Sequence, residues 1–66
     1  MTGSIVRLLE DRQAGTIAGE DGIDYAFRDA ALVGVTFGSL GLGTRVVFTP
    51  DAARGIPRAS SVRISK

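Results

Sequence analysis

Arginine is the residue type in this chain best suited to binding chemistry. Seven of the eight basic residues are arginines, and a guanidinium group suits bidentate contact with phosphate and stacking on planar groups. Residues 1–33 hold three basic and six acidic residues, a net charge of −3, whereas residues 34–66 hold five basic residues and one acidic residue, a net charge of +4. Two interpretations remain open: the two halves attract each other within the fold, or the C-terminal half presents a basic surface to an anionic partner.

Other patterns that could carry catalysis are incomplete. Residues 38–44 superficially resemble a phosphate-binding loop, but they lack its lysine and a following helix. Asp21 and Asp24 could form an acid/base pair or bind calcium, yet they lie beside a turn in which carboxylates usually accept hydrogen bonds from backbone amides. The chain has no histidine and no cysteine, so the serines lack the usual base, and disulfides and thiolate zinc sites are excluded. We therefore predict no enzymatic activity, no cofactor and no metal site.

The length of 66 residues favours a single domain that spans residues 1–66, because a second core would bury too little surface. The longest uncharged stretch, residues 30–44, contains four glycines and is too short and too interrupted to cross a bilayer. Residues 1–7 lack the basic-then-apolar order of a signal peptide. We predict a cytoplasmic protein that does not associate with membranes.

Short apolar runs separated by glycine predict five β-strands. Residues 23–27 alternate with period two, which places Ile23, Tyr25 and Phe27 on one face. The acidic and glycine residues of Gly19–Gly22 predict a hairpin turn, and Pro50 is expected to end the fourth strand. The predicted strands are residues 4–9, 15–18, 23–27, 45–49 and 60–65.

The remaining segments are predicted as turns and loops. Asp29 can cap a single helical turn over residues 29–33, which Gly34 then ends. Residues 34–43, with four glycines, and residues 51–57 are predicted as loops. Five short strands at this spacing favour a small closed barrel, because closure removes exposed strand edges. The predicted core residues are Ile5, Ile17, Tyr25, Phe27, Leu32, Val46, Phe48 and Val62.

A series of motifs along nearly the whole chain has a counterpart in one known family. Residues 24–28, Asp-Tyr-Ala-Phe-Arg, fall on the pattern D-V-F-V-H, and Phe37-Gly38-Ser39-Leu40 with Gly43 falls on G-F-x-S-L-x-x-G. The other matches are Met1-Thr2-Gly3 with Ile5 for an opening strand, Asp11-Arg12 with Gly15 and Ile17 for K-G-F-G-F-I, Ala31-Leu32 for an S-A-I turn, Arg45-Val46-Val47-Phe48 for a fourth strand, and residues 54–62 for K-G-P-Q-A-A-N-V with one extra residue. Together they resemble the bacterial cold-shock domain, a five-stranded antiparallel OB-fold barrel.

The departures from that family fall on the positions that would stack bases. Cold-shock domains bind single strands by stacking bases on exposed aromatic rings in a basic groove, and each ring contributes roughly 1–3 kcal/mol. Phe37, in the long loop, is the family stacking position that keeps its ring in this chain. The family's other ring-bearing positions are occupied here by Arg7, Ala14, Thr16, Ala26, Arg28 and Asp29.

The resemblance implies binding of single-stranded RNA or DNA through a reduced, arginine-based surface. Arginines would contact phosphates and replace part of the lost stacking, and Phe37 would be the remaining aromatic platform. We expect such binding to be weak, poorly selective for sequence and dependent on salt. For Arg7 a cross-strand pair with Asp24 or Asp29 is the competing interpretation. The predicted nucleic-acid-binding residues are Arg7, Arg12, Thr16, Arg28, Phe37 and Arg58.

A second hypothesis makes the same barrel a protein-interaction or dimerisation module without nucleic-acid binding. Four apolar residues stand where the resembling sequences usually have charged or polar ones, and such residues mark an interface when they form one patch. A homodimer, formed by exchange of strands across the long loop, is the concrete form of this hypothesis. The residues predicted to form that interface are Val6, Leu9, Leu42 and Val47.

Overall fold

Five β-strands pair around a closed barrel in the computed structural model, which describes residues 1–51 and 55–65. The strands are β1 Thr2–Leu9, β2 Ala14–Gly19, β3 Asp24–Arg28, β4 Arg45–Asp51 and β5 Arg58–Ile64. They pair in the order β1-β2-β3-β5-β4, and β4 also pairs with β1. Every pair is antiparallel except β3–β5, which is parallel. The predicted all-β, five-stranded OB-fold-like barrel is therefore confirmed.

Residues 52–54 and residue 66 lie outside the described residues. Residues 52–54 belong to the predicted loop 51–57, and residue 54 begins the match over residues 54–62.

The predicted hairpin turn between β2 and β3 is confirmed. The Gly19 amide donates to the carbonyl of Ile23 at 2.9 Å, and the Gly22 amide donates to the carbonyl of Gly19 at 3.0 Å. Gly22 has a φ of +84°, which glycine adopts without steric cost. Ile23, however, is 45% exposed and precedes β3, so the prediction that it shares one face with Tyr25 and Phe27 is wrong. Its backbone closes the turn, and the inward alternation begins only with β3.

The fourth strand continues through Pro50 to Asp51, so the prediction that this proline ends the strand is wrong. The Phe48 amide donates to the carbonyl of Met1 at 2.7 Å. The nitrogen of Pro50, two residues further on, points to the same side, past the first residue of β1. No ladder hydrogen bond is lost there, which is the situation in which a strand tolerates proline.

Three-residue 3-10 turns interrupt the connections between strands. Asp29–Ala31 forms the predicted helical turn, but without a side-chain cap. The segment predicted as a loop contains a second such turn, Phe37–Ser39, and Glu10–Arg12 forms a third between β1 and β2. Among the residues described, no helix has the length and apolar character needed to cross a bilayer.

The core lies inside the barrel and under the long loop. Seven of the eight predicted core residues are buried, and Leu32 packs against them while partly exposed. Phe37, Leu40 and Ala59 were not predicted in the core but are buried there. The buried apolar residues are Ile5, Ile17, Tyr25, Phe27, Phe37, Leu40, Val46, Phe48, Ala59 and Val62.

Candidate functional site

One row of outward-facing residues crosses four strands of the barrel. Arg7 on β1 lies opposite Thr16 on β2, and Thr16 lies opposite Ala26 on β3. Ala26 in turn pairs with Arg58 on β5. Because neighbouring strands lie about 4.8 Å apart, the row spans about 14 Å from β1 to β5. It therefore carries an arginine at each end and small side chains between them.

A β-bulge gives Arg7 its outward position. Ile5 points into the core and pairs with Ile17, and simple alternation would point Arg7 inward as well. The register shifts between Ile5 and Arg7, with Val6 as the extra residue. Both Val6 and Arg7 are exposed as a result. Bulges re-aim side chains in this way at functional edges of sheets.

A second row brings a third arginine beside the first row. Leu9 on β1 lies opposite Ala14 on β2, and Ala14 lies opposite Arg28 on β3. Arg28 is two residues from Ala26 on the same outer face of β3, so it lies about 7 Å from the first row. We call the surface formed by the three arginines and the small residues between them the arginine face: Arg7, Ala14, Thr16, Ala26, Arg28 and Arg58.

A groove of about 660 Å³ runs over this face. It is lined mostly by small residues, including Gly15 and Thr16, and also by the buried Phe27 and the exposed aliphatic residues Leu9 and Ile56. Arg28 and Arg58 also line it. The groove therefore combines two guanidinium groups with a lining of mostly small side chains, which leaves room for a planar or extended ligand.

The other predicted binding arginine, Arg12, does not line this groove, but the turn that carries it leads into β2. Arg12 ends the 3-10 turn Glu10–Arg12 and is exposed. Gln13 follows with a φ of +51°, and its carbonyl accepts a hydrogen bond from the Asp29 amide at 2.9 Å. That bond joins the β1–β2 connection to the end of β3, beside Arg28.

Phe37 does not belong to the arginine face. Its side chain is buried, which contradicts the predicted role as an exposed stacking platform. The side chain is 7% exposed, and its ring lies 6.4 Å from that of Phe27, centroid to centroid. Phe37 also lines a separate cavity of about 250 Å³, together with Leu8 and Gln13. A ring that is 7% exposed presents little of its face to a base.

The register also bears on the competing interpretation of Arg7. Cross-strand pairing places Thr16 and then Ala26 beside Arg7, whereas Asp24 lies opposite Ala18. Directly opposed residues are the ones that interact most strongly across an antiparallel pair. The register therefore does not place Arg7 opposite either acidic residue, and the expected cross-strand pair is wrong.

Charge changes sign along the outer face of β3. Asp24, Ala26 and Arg28 all point outward, so a carboxylate and a guanidinium lie at opposite ends of the strand. In the neighbouring pair of strands, Asp51 of β4 lies directly opposite Arg58 of β5. The arginine face is therefore flanked by two carboxylates, Asp24 on β3 and Asp51 on β4.

The hairpin turn at the acidic end is held by a buried tyrosine. The Tyr25 hydroxyl donates a 2.6 Å hydrogen bond to Asp21, which also accepts from the Ile23 amide at 3.1 Å. The bond from Tyr25 lowers the pKa of the Asp21 carboxyl, with the Ile23 amide adding to the effect against partial desolvation. The same bond, together with burial, raises the pKa of Tyr25.

The four residues predicted to form a dimer interface are divided between different parts of the barrel. Leu9 lines the groove, whereas Val47 lies between Thr2 on β1 and Arg63 on β5. Positions 2 and 9 are separated by about 23 Å along a strand. Val6 and Leu42 lie nearer to each other, since the Gly43 amide donates to the carbonyl of Ile5 at 2.7 Å.

Sequence reasoning missed one wall of the groove. Ile56 lies in the segment before β5 and is 50% exposed. The Ala26 amide donates to the carbonyl of Pro57 at 3.2 Å. This bond holds the segment that carries Ile56 beside β3. An exposed isoleucine beside a proline is an ordinary feature of loops, so the sequence contained no specific signal for this role.

No protein-family model and no curated protein matches the chain.

Proposed function

We propose that this protein is a nucleic-acid-binding protein of the cold-shock type, which binds single-stranded RNA or DNA weakly and with little sequence selectivity. The observation that supports the proposal is that Arg28 and Arg58 line one groove, while Arg7 lies opposite Thr16, which also lines it. In OB-folds the face of strands 2 and 3 is the usual site for oligonucleotides. Here β2 and β3 provide the floor of the groove.

The chemistry of the face accounts for the expected weakness. Guanidinium groups contact phosphate oxygens, which position a strand but carry no sequence information. Thr16 is the polar side chain on the small-residue floor, so few hydrogen bonds to base edges are available there. The row offers no aromatic platform, which removes the roughly 1–3 kcal/mol that each stacked base would contribute.

The salt dependence of binding tests the proposal. Three phosphate contacts on a single strand predict a slope of log K against log salt of about −2, since each contact contributes about −0.7. Fluorescence anisotropy with labelled dT12 and U12 between 50 and 200 mM salt measures that slope. Arg28→Gln should weaken binding and reduce the slope by about 0.7.

Arg45→Gln is the matched control. Arg45 lies on β4 opposite Ser4 of β1, and β4 pairs with neither β2 nor β3 in the barrel order. Its loss lowers the net charge equally but should leave the slope unchanged. Equal effects of the two substitutions, or the absence of binding at 50 mM salt, would refute binding through the arginine face.

The dimerisation module remains the alternative prediction. The division of its four residues over the barrel does not favour it over nucleic-acid binding. Light scattering at high protein concentration decides it, because a strict monomer contradicts the homodimer.

A further inference from the structure

The groove over the arginine face follows the seam between β3 and β5. Within the described residues, these strands are joined by a single register pair, Ala26 with Arg58. Arg28 of β3 and Ala59 of β5 both line the groove beside that pair. Phe27 lines it as well, and Phe27 and Ala59 both belong to the buried core. The groove therefore reaches residues of the core and does not lie on the outer face alone.

The lining of this groove is mostly apolar. Leu9 and Ile56 line it and are 40% and 50% exposed, and alanines supply most of the rest. Arg28 and Arg58 are its charged residues, and none of the described residues that line it is acidic. The groove therefore offers a ligand an apolar surface and two positive charges.

The two carboxylates that flank the arginine face lie outside the groove. Asp51 is on the side of β5 away from it, because β5 pairs with β4 along one edge and with β3 along the other. Asp24 lies two residues before Ala26 on β3 and is not part of the lining. Since Arg58 lies between the groove and Asp51, Arg28 is the better cation to substitute in a test.

We propose that the groove binds a small amphipathic anion, an apolar aromatic ring that carries one carboxylate. Its volume of about 660 Å³ lies within the roughly 300–1,000 Å³ of small-molecule pockets, which are likewise lined by apolar residues with a few polar groups. The carboxylate pairs with Arg28 and Arg58, and the ring lies against Leu9, Ile56 and the alanines. This site goes beyond nucleic-acid binding and does not depend on it.

An apolar ring suits this lining better than a nucleobase does. A base carries hydrogen-bonding groups around its edge, and burying such groups without partners weakens binding. Among the described residues that line the groove, Thr16 is the uncharged one with a polar side chain. An apolar ring has no such groups to satisfy, and it gains free energy from the apolar area that it buries. Guanidinium groups also stack on aromatic faces.

Titration with 2-naphthoate, followed by the backbone amide signals in NMR at 50 mM salt, tests the site. We expect a dissociation constant of about 1 mM or below, with the largest changes at Gly15, Ala26, Arg28 and Ala59. The uncharged 2-naphthalenemethanol should bind at least about twofold more weakly, and dTMP should also bind more weakly. Changes spread over the whole barrel, equal binding of the alcohol, or tighter binding of dTMP would overturn the site.

A pair of leucine substitutions tests whether the ligand lies in the groove. Ala26 is exposed and lines the groove, so Ala26→Leu should fill it and weaken 2-naphthoate binding at least about fivefold. Ala18→Leu is the matched control, because Ala18 alternates outward on β2 two residues after Thr16 and does not line the groove. Circular dichroism checks that both variants fold. Equal affinities of the two folded variants place the ligand elsewhere.

A pair of arginine substitutions tests the charge. Arg28→Gln should weaken 2-naphthoate binding about two- to fivefold, whereas Arg45→Gln, which changes the net charge equally, should leave it unchanged. Equal effects overturn the contact with Arg28. Binding of dT12 is a separate measurement: its absence beside bound 2-naphthoate refutes the proposed function alone, and the reverse result refutes this site alone.

Discussion

Asp21 and Tyr25 show how one pair of side chains connects a surface turn to the barrel interior. The Tyr25 ring is buried, and its centroid lies 5.0 Å from that of Phe48. Its hydroxyl reaches out of the core to the Asp21 carboxylate, which accepts the Ile23 amide as well. The β2–β3 turn is therefore held by an ionised group whose hydrogen bonds depend on pH.

The stability of the protein should fall in acid through this carboxylate. The pKa of Asp21 is lowered from its ordinary value of 3.8, so the unfolded chain binds this proton more readily than the folded protein. The stabilisation is therefore present above pH 3.8 and is lost as the pH falls through the lower folded pKa. Urea unfolding followed by circular dichroism between about pH 2 and 6 measures the midpoint.

Asp21→Asn should reduce the fall of the urea midpoint at low pH, and Tyr25→Phe should reduce it too. The second variant keeps the ring against Phe48 and removes only the hydroxyl. If both variants retain the acid dependence of the parent protein, the hydrogen bond does not carry it.

At the scale of elements, β2 lies between β1 and β3 at a separation that requires glycine. A Cβ atom at Gly15 would lie 2.6 Å from the carbonyl oxygen of Arg7 and 2.7 Å from the Phe27 ring. Neither neighbour can move freely, because one is backbone on β1 and the other is a buried ring. Gly15 thus brings Arg7 and Thr16 together on the outer face while Phe27 fills the space inside.

Gly15→Ala should destabilise the barrel by about 1–3 kcal/mol, the usual cost of overpacking. Gly38→Ala is the control, since a Cβ there has no neighbour within 4 Å and should change stability by less than about 0.5 kcal/mol. Chemical denaturation of both variants measures the difference. Similar values for the two would contradict the close approach of β2 to its neighbours.

At the scale of the whole molecule, the long loop contributes to the core instead of the binding surface. Phe37 and Leu40 belong to this loop and are buried, which extends a core that is otherwise limited by the chain's length. A single core in a chain of this size supplies only about 3–5 kcal/mol. Truncating one buried aromatic residue lowers the free energy of unfolding by about the same amount.

Phe37→Leu should keep the fold and leave the affinity for dT12 unchanged. Loss of a stacking platform would instead cost about 1–3 kcal/mol, or about 5- to 150-fold in affinity. Phe37→Ala should leave much of the chain unfolded by circular dichroism. Weakened binding by a folded Phe37→Leu variant would restore Phe37 to the binding surface.

The sequence by itself determined the features that depend on neighbours along the chain. Period-two alternation identified the inward residues of the strands, and Gly19–Gly22 identified the hairpin turn. The predicted limits of two strands, at Ile23 and at Pro50, were wrong, because the limits of a strand depend on which backbone groups find a hydrogen-bond partner. The arginine content was also visible, together with its value for phosphate contact.

Only the tertiary structure decided which of these residues share a surface. The bulge at Val6 turns Arg7 outward, and the pairing of Ala26 with Arg58 brings in a residue from the far end of the chain. The family resemblance predicts an exposed Phe37, because this residue stands at a stacking position of that family, yet its side chain is buried in the core. Local pattern specifies which side a residue faces, but register between strands distant in sequence is set by the packing of the closed barrel.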